Sequence, residues 1–152
     1  MKKSVSFLVP VTSILLIAIT VMVVSCSKSG GGAKPKLSIE SINSPIEPNG
    51  QLNVKLKFSN GGDLSNGTFV AIRIRTNILP PQNTPGGDTV VNPIPSYGNV
   101  QTGEMVYTQD YQGYLTFGDN VNDTLIFRFA VISSAGVSSD TITSPKVVVI
   151  HP

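Results

Sequence analysis

At 152 residues with 40% hydrophobic content, the chain is long enough for one domain with a proper core and too short for two. Lys2 and Lys3 account for the whole formal charge of +2, so residues 26–152 are balanced; with no Lys/Arg cluster to grip a phosphate backbone, nucleic acid is not among the expected partners. Charged residues at 13%, with 14 Gly, 11 Pro and no Trp, suit a turn-rich β-sandwich better than a helical protein.

The chain opens with a basic start at Lys2 and Lys3, an uncharged stretch from Phe7 to Val24 and a small residue, Ser25, directly before Cys26. Positive charge stays on the cytoplasmic side of a bilayer, the apolar stretch partitions into it, and small side chains let a signal peptidase reach the backbone. The strongest apolar run, Ile14 to Val24, has the length of an export-signal core, about 7 to 15 residues. The longer stretch Phe7 to Val24 is near the lower limit of a membrane span, roughly 17 residues, and is diluted by Pro10, Thr12, Ser13 and Thr20. Cleavage before Cys26 is therefore expected in preference to an uncleaved anchor.

Val23-Val24-Ser25-Cys26 resembles the lipobox of bacterial lipoproteins, and the Cys-Ser-Lys-Ser-Gly run from Cys26 looks like lipoproteins of the Bacteroidetes. The resemblance implies that residues 1–25 are a signal peptide carrying the signal helix. It also implies that Cys26 takes a diacylglyceryl thioether and becomes the new N-terminus, whose amine is a second acylation point. This accounts for the single cysteine, which has no partner for an internal disulfide. Burial of acyl chains at about 0.8 kcal/mol per CH₂ makes two or three chains a lasting anchor. Ser27 in place of Asp after the cysteine implies outer-membrane delivery. The first acidic residue being Glu40 favours the periplasmic face over surface exposure. Residues 26–36 then form the lipidated Cys and a flexible tether, whose ten residues after Cys26 reach at most about 35 Å.

From Leu37 onward the dominant signal is alternation of period two, the spacing of strands. A weaker strand is expected at Leu37 to Ile42. Leu52, Val54, Leu56 and Phe58 alternate with Asn53, Lys55 and Lys57 as a half-buried strand, and Val70, Ile72 and Ile74 alternate with Ala71, Arg73 and Arg75 in the same manner. Weaker strands are expected at Met105 to Tyr107 and Tyr114 to Phe117. The clearest is Leu125, Phe127, Phe129 and Val131, followed by a turn over Ser133 to Asp140 and a closing strand from Thr141 to Ile150. About seven strands in roughly 100 residues fit an immunoglobulin-like antiparallel sandwich over residues 37–152. Phe127 to Ser139 resembles the penultimate strand and hairpin of immunoglobulin-like and fibronectin type III-like domains. The fold expected is therefore all-β, with a jelly roll or small barrel as the alternative.

Chemistry-bearing residues are sparse. His151 is the sole histidine and reads as a frayed terminal residue, and Cys26 is committed to lipid, so nucleophilic and His/Cys metal arrangements lack material; neither an enzyme nor a cofactor is expected. Glu104 and Asp110 read better as solvated strand-edge charges than as an acid/base pair. Asp119 and Asp123 bracket an Asx-rich run with oxygen ligands of the kind calcium takes, but it lacks the EF-hand spacing and closing Glu, and a turn explains it equally well. Tyr107, Tyr111 and Tyr114 form either a sugar-stacking platform or ordinary core and edge positions.

Residues Asn77 to Asn99, with Pro80, Pro81, Pro85, Pro93 and Pro95, cannot be a central strand. One reading is a recognition loop presenting Ile78, Leu79, Ile94 and Tyr97 to a partner; the other is an edge connection with one short strand near Thr89 to Asn92, guarded by proline. Asp88-Thr89-Val90, Asp123-Thr124-Leu125 and Asp140-Thr141-Ile142 resemble the Asp-Thr/Ser-aliphatic acceptor of Bacteroidetes O-glycosylation, which implies Thr89, Thr124 and Thr141 as glycan carriers; the same pattern also simply begins a strand after a turn. The function expected is a membrane-anchored, non-catalytic interaction or structural module of the cell envelope, bound to the membrane by its N-terminal lipid. Its partner would be another envelope protein or a glycan; the alternative is a glycan- or ligand-binding accessory lipoprotein.

Overall fold

The computed structural model describes residues 33–60, 64–77, 88–96, 98, 100–118 and 121–152. The signal segment, Cys26 and the tether as far as residue 32 lie outside the described residues, as do Ile78, Leu79, Tyr97 and Asp119. No helix among the described residues is long and apolar enough to cross a membrane.

The strands are β1 (Lys36–Ile42), β2 (Gln51–Ser59), β3 (Thr68–Arg75), β4 (Thr89–Pro93), β5 (Thr102–Asp110), β6 (Asp123–Ile132), β7 (Ile142–Thr143) and β8 (Val147–Val149). They form two antiparallel sheets: β1-β2-β5 (sheet 1), and β4-β3-β6 with both β7 and β8 on the far side of β6 (sheet 2). The chain changes sheet between β2 and β3, between β4 and β5, and between β5 and β6, while β3-β4 and β6-β7 are hairpins. This is an immunoglobulin-like β-sandwich, with β7 and β8 sharing the place of its last strand.

Leu52, Val54, Leu56 and Phe58 of β2 face the interior opposite Leu125, Phe127, Phe129 and Val131 of β6, and all eight are buried. Each such side chain contributes about 1.5–3 kcal/mol through removal from water. With no Trp to fill the centre, four rings do so. Tyr107 lies 5.5 Å from both Phe69 and Phe129 by ring centroid, and Phe127 stacks on Phe129 at 6.2 Å.

Three expectations change. In β3 the phase is the reverse of the expected one: Phe69, Ala71, Arg73 and Arg75 point inward, and Val70, Ile72 and Ile74 lie half-buried on the outer face. Both phases alternate, and pairing decides between them, since Phe69, Ala71, Arg73 and Arg75 sit opposite Val131, Phe129, Phe127 and Leu125, the inward set of β6. Tyr114 to Phe117 forms no strand. Tyr111–Leu115 is instead a turn whose central residues, Gln112 (φ −78°, ψ 135°) and Gly113 (φ 86°, ψ −24°), are not helical; the positive φ is open to glycine at little cost, and Tyr111 and Leu115 both return to the core. The closing segment Thr141 to Ile150 is split at Ser144-Pro145-Lys146, because Pro145 has no N–H for a ladder. Ser144 bridges the gap: its N–H donates to Phe127 O, and its hydroxyl accepts the Phe127 N–H at 2.9 Å.

Candidate interaction site

The two outer faces of the sandwich differ in kind. On sheet 1 the outward positions of β2 are Gln51, Asn53, Lys55, Lys57 and Ser59, and those of β5 are Thr102, Glu104, Val106, Thr108 and Asp110. On sheet 2 they are Val70, Ile72 and Ile74 of β3, Val91 of β4, and Ile126 and Ala130 of β6, with Arg128 the exposed charge among them. Val70 pairs with both Val91 and Ala130, and Ile74 pairs with Ile126, so these side chains make one aliphatic surface across three strands.

That surface continues round the β4 edge. Between the edges of β4 and β5 lies a cleft of about 350 Å³ walled by Phe69, Ile94, Pro95, Met105 and Tyr107. A second hollow of about 420 Å³, bounded by Phe58, Val100 and Gly103, adjoins it through Ile94, Pro95 and Met105. Val91, Val100 and Val106 stand exposed around this side, at 59%, 40% and 65%. Glycine at 103 lets β5 approach the Phe58 ring closely: a Cβ there would lie 2.6 Å from it.

Ile94, expected as an exposed contact group, is instead buried at the floor of the cleft. Its N–H donates to Gly67 O, which draws the residue after β4 under the sheet edge. β4 itself matches the short edge strand of the second reading, and it carries Thr89 at its half-buried first position. Thr124 is half-buried in β6, while Thr141 is exposed before β7. In all three Asp-Thr-aliphatic stretches a strand starts within two residues of the Asp. Of the tyrosines proposed as a platform, Tyr107 and Tyr111 are buried and Tyr114 is half-buried, so among the described residues no solvent-facing ring patch forms. Glu104 and Asp110 do not meet: Lys55 binds Glu104 at 2.9 Å and Glu40 at 3.0 Å, and Asp110 accepts from Gln51 Nε2. The lysine holds the Glu104 carboxyl below the usual carboxylate range.

A polar cluster that sequence reasoning missed lies at the end of the sandwich where β3 stops. Arg73 Nε donates to the Asp88 carboxylate at 2.9 Å, Arg75 pairs with Asp123, and His151 Nε2 lies 3.5 Å from the other Asp123 oxygen. The Phe117 ring covers both guanidinium groups, with centroids 4.1 Å and 4.7 Å away, and Tyr114 adds a third cation–π contact to Arg73 at 4.6 Å. His151 is thus docked rather than frayed: its N–H donates to Asn122 Oδ1, and its ring lies beside Tyr111. Asp123, weighed as a calcium ligand, is fully buried against Arg75. Among the described residues, no three His, Cys, Asp or Glu side chains converge as metal ligands. The cluster neutralises its own charges, and its work is to fasten chain segments together. The signal for it was the pair Arg73 and Arg75 in phase with Phe69 and Ala71.

No protein-family model and no curated protein matches the chain. Among solved structures it is similar to a β-glucosidase from Listeria innocua in complex with gluconolactone, at 12% identity and a TM-score of 0.39, over 77% of this chain and 16% of that one.

Proposed function

We propose that the chain is a lipid-anchored, non-catalytic interaction module of a bacterial cell envelope, held at the periplasmic face of the outer membrane and binding another envelope protein through the β4/β5 side of its sandwich. The observation that carries the binding part is the contrast between the polar outer face of sheet 1 and the aliphatic surface running from Ile74 through Val91 to the cleft. An aliphatic surface of this continuity, half-buried along β3 and β6 and open at Val91, costs solubility unless something covers it. The anchoring part rests on the lipobox resemblance at Val23 to Cys26.

Two measurements test the two parts. Intact mass of the protein from its host membranes is expected to show a chain cleaved before Cys26 and acylated, with that species absent in Cys26→Ala; an uncleaved wild-type chain would overturn the anchor. A charge placed in the aliphatic surface, Val91→Asp, is expected to reduce partner capture at least tenfold while Lys36→Glu on β1, the far strand of sheet 1, leaves it unchanged. Equal capture by the folded Val91→Asp protein would overturn the assignment of the surface.

A further inference from the structure

The four sheet edges are not defended alike. β1 carries a register shift between Ile39 and Ser41, the irregularity that turns an edge away from further pairing. The far edge of sheet 2 is broken at Ser144-Pro145-Lys146, and Ile46 crosses onto it, donating its N–H to Val148 O at 2.8 Å and accepting from Ile150 N at 2.9 Å. In β4 the bonds Arg73 N to Asp88 O and Ile94 N to Gly67 O fix which residues face β3. Thr89, Val91 and Pro93 are therefore left facing outward, and Pro93 has no N–H to offer.

β5 has no such device. It runs nine residues without proline or register shift. Tyr111 N donates to Gly50 O, so by alternation Gln109, Tyr107, Met105 and Gly103 exchange backbone bonds with β2. The N–H and C=O groups of Glu104, Val106 and Thr108 then point to the open side, where no described strand pairs with them. This open row borders the apolar cleft, with Val106 exposed at its middle.

We infer that the free edge of β5 accepts an extended segment of a partner protein as an added strand, with apolar side chains at alternate positions entering the cleft beside Met105 and Tyr107 and a Lys or Arg opposite Glu104. The inference rests on the interaction-module reading and deepens it. The basic residue follows from charge: β5 carries Glu104 and Asp110 and no Lys or Arg, so its open edge is acidic, while the lysines facing Glu104, Lys55 by ion pair and Lys57 in register, lie one strand back on β2. The same charges disfavour a second copy of this chain. An antiparallel β5 pair centred on Val106 would set Glu104 diagonal to the other copy's Asp110. Main-chain bonds along the row give affinity, and the cleft gives selectivity for every second side chain.

The test uses the full chain in its host, with the photo-crosslinking residue p-benzoylphenylalanine placed either at Asp110, on the edge, or at Val91, on the aliphatic surface. The expected result is an adduct at Asp110 to another protein, mapping to a segment with alternating apolar residues and a Lys or Arg. Val106→Pro and Thr108→Pro, each removing one outward N–H that makes no bond to β2, are expected to reduce that adduct at least tenfold with thermal midpoints unchanged. Val106→Ala, which keeps the N–H, is expected to retain it. In the purified complex the Glu104 and Val106 amides are expected to exchange at least tenfold more slowly. An adduct at Val91 alone, or one at Asp110 indifferent to both proline variants, would overturn strand addition and leave the interaction module standing. An adduct to another copy of the chain would overturn the partner assignment in favour of self-pairing. No protein adduct at either position would overturn both readings.

Discussion

Asp123 exposes none of its surface, and its charge is balanced by Arg75 on one side and approached by His151 on the other. Removing it takes from the buried Arg75 guanidinium the carboxylate it pairs with, so Asp123→Ala is expected to destabilise the domain by about 3–5 kcal/mol, read as a lower urea midpoint at unchanged m-value. Replacing both partners by apolar residues, Arg75→Met with Asp123→Leu, is expected to recover most of that loss. Tyr107 gives a pH signature. Burial, and then the neighbouring Tyr114, push its phenol well above the ordinary value of 10.0, and burial raises Tyr114 as well. A raised phenol value means the folded state holds its proton where the unfolded chain has released it. Stability is therefore undiminished below pH 10 and falls as pH rises beyond it. Tyr107→Phe is expected to flatten that alkaline decline in denaturation midpoints measured from pH 9 to 11. These residues were hard to read from sequence because Arg73, Arg75, Asp88 and Asp123 look like ordinary surface charges until their partners, separated by 15 residues in one pair and 48 in the other, are known to meet.

At the scale of elements, β2 was legible because apolar and polar residues alternate cleanly in it, and β6 because Leu125, Phe127, Phe129 and Val131 mark one of its faces as the core side. β3 offered two plausible faces, since aliphatic residues occupy one set and Phe69 with Ala71 leads the other; the pairing with β6 chose. The aliphatic outer surface of sheet 2 was hidden by the same ambiguity, and the Ile94 that the sequence singled out serves as the floor of the cleft instead of its rim. The segment Pro80 to Pro95, read from sequence as a recognition loop or an edge connection, contains β4, the Asp88 that neutralises Arg73, and Ile94. Deleting them is expected to abolish cooperative unfolding. Deleting 79–86 alone is expected to keep a sigmoidal thermal transition, because β4 and the ion pair remain.

For the molecule as a whole, the described chain enters β1 at Lys36, opposite Ser59, at the end where Thr68, Pro93, Thr102 and Ile132 also lie. The opposite end carries Asn77, Asp88, Tyr111, Asp123 and Ile150, joined by the bonds from Tyr111 Oη to Ile150 O and from Tyr114 Oη to Asp88 O. Strands of nine or ten residues separate the two ends by about 30 Å. The overall class was readable from composition and periodicity alone. The division of the sandwich into a polar and an aliphatic side was not, because it is a property of how strands are paired.

The pinning at that far end has a use outside the protein's own work. Asn77 is held by Asn122 O and the Thr124 N–H, and Asp88 by Arg73, so both ends of the stretch 78–87 are fixed by bonds that owe nothing to the residues between them. Lengthening a loop whose ends are already held costs only about 0.6 kcal/mol per doubling. A protease site or epitope spliced in between residues 82 and 83 is expected to leave the thermal midpoint of the domain unchanged, and its cleavage in whole cells against opened ones would report directly which side of the envelope the sandwich inhabits.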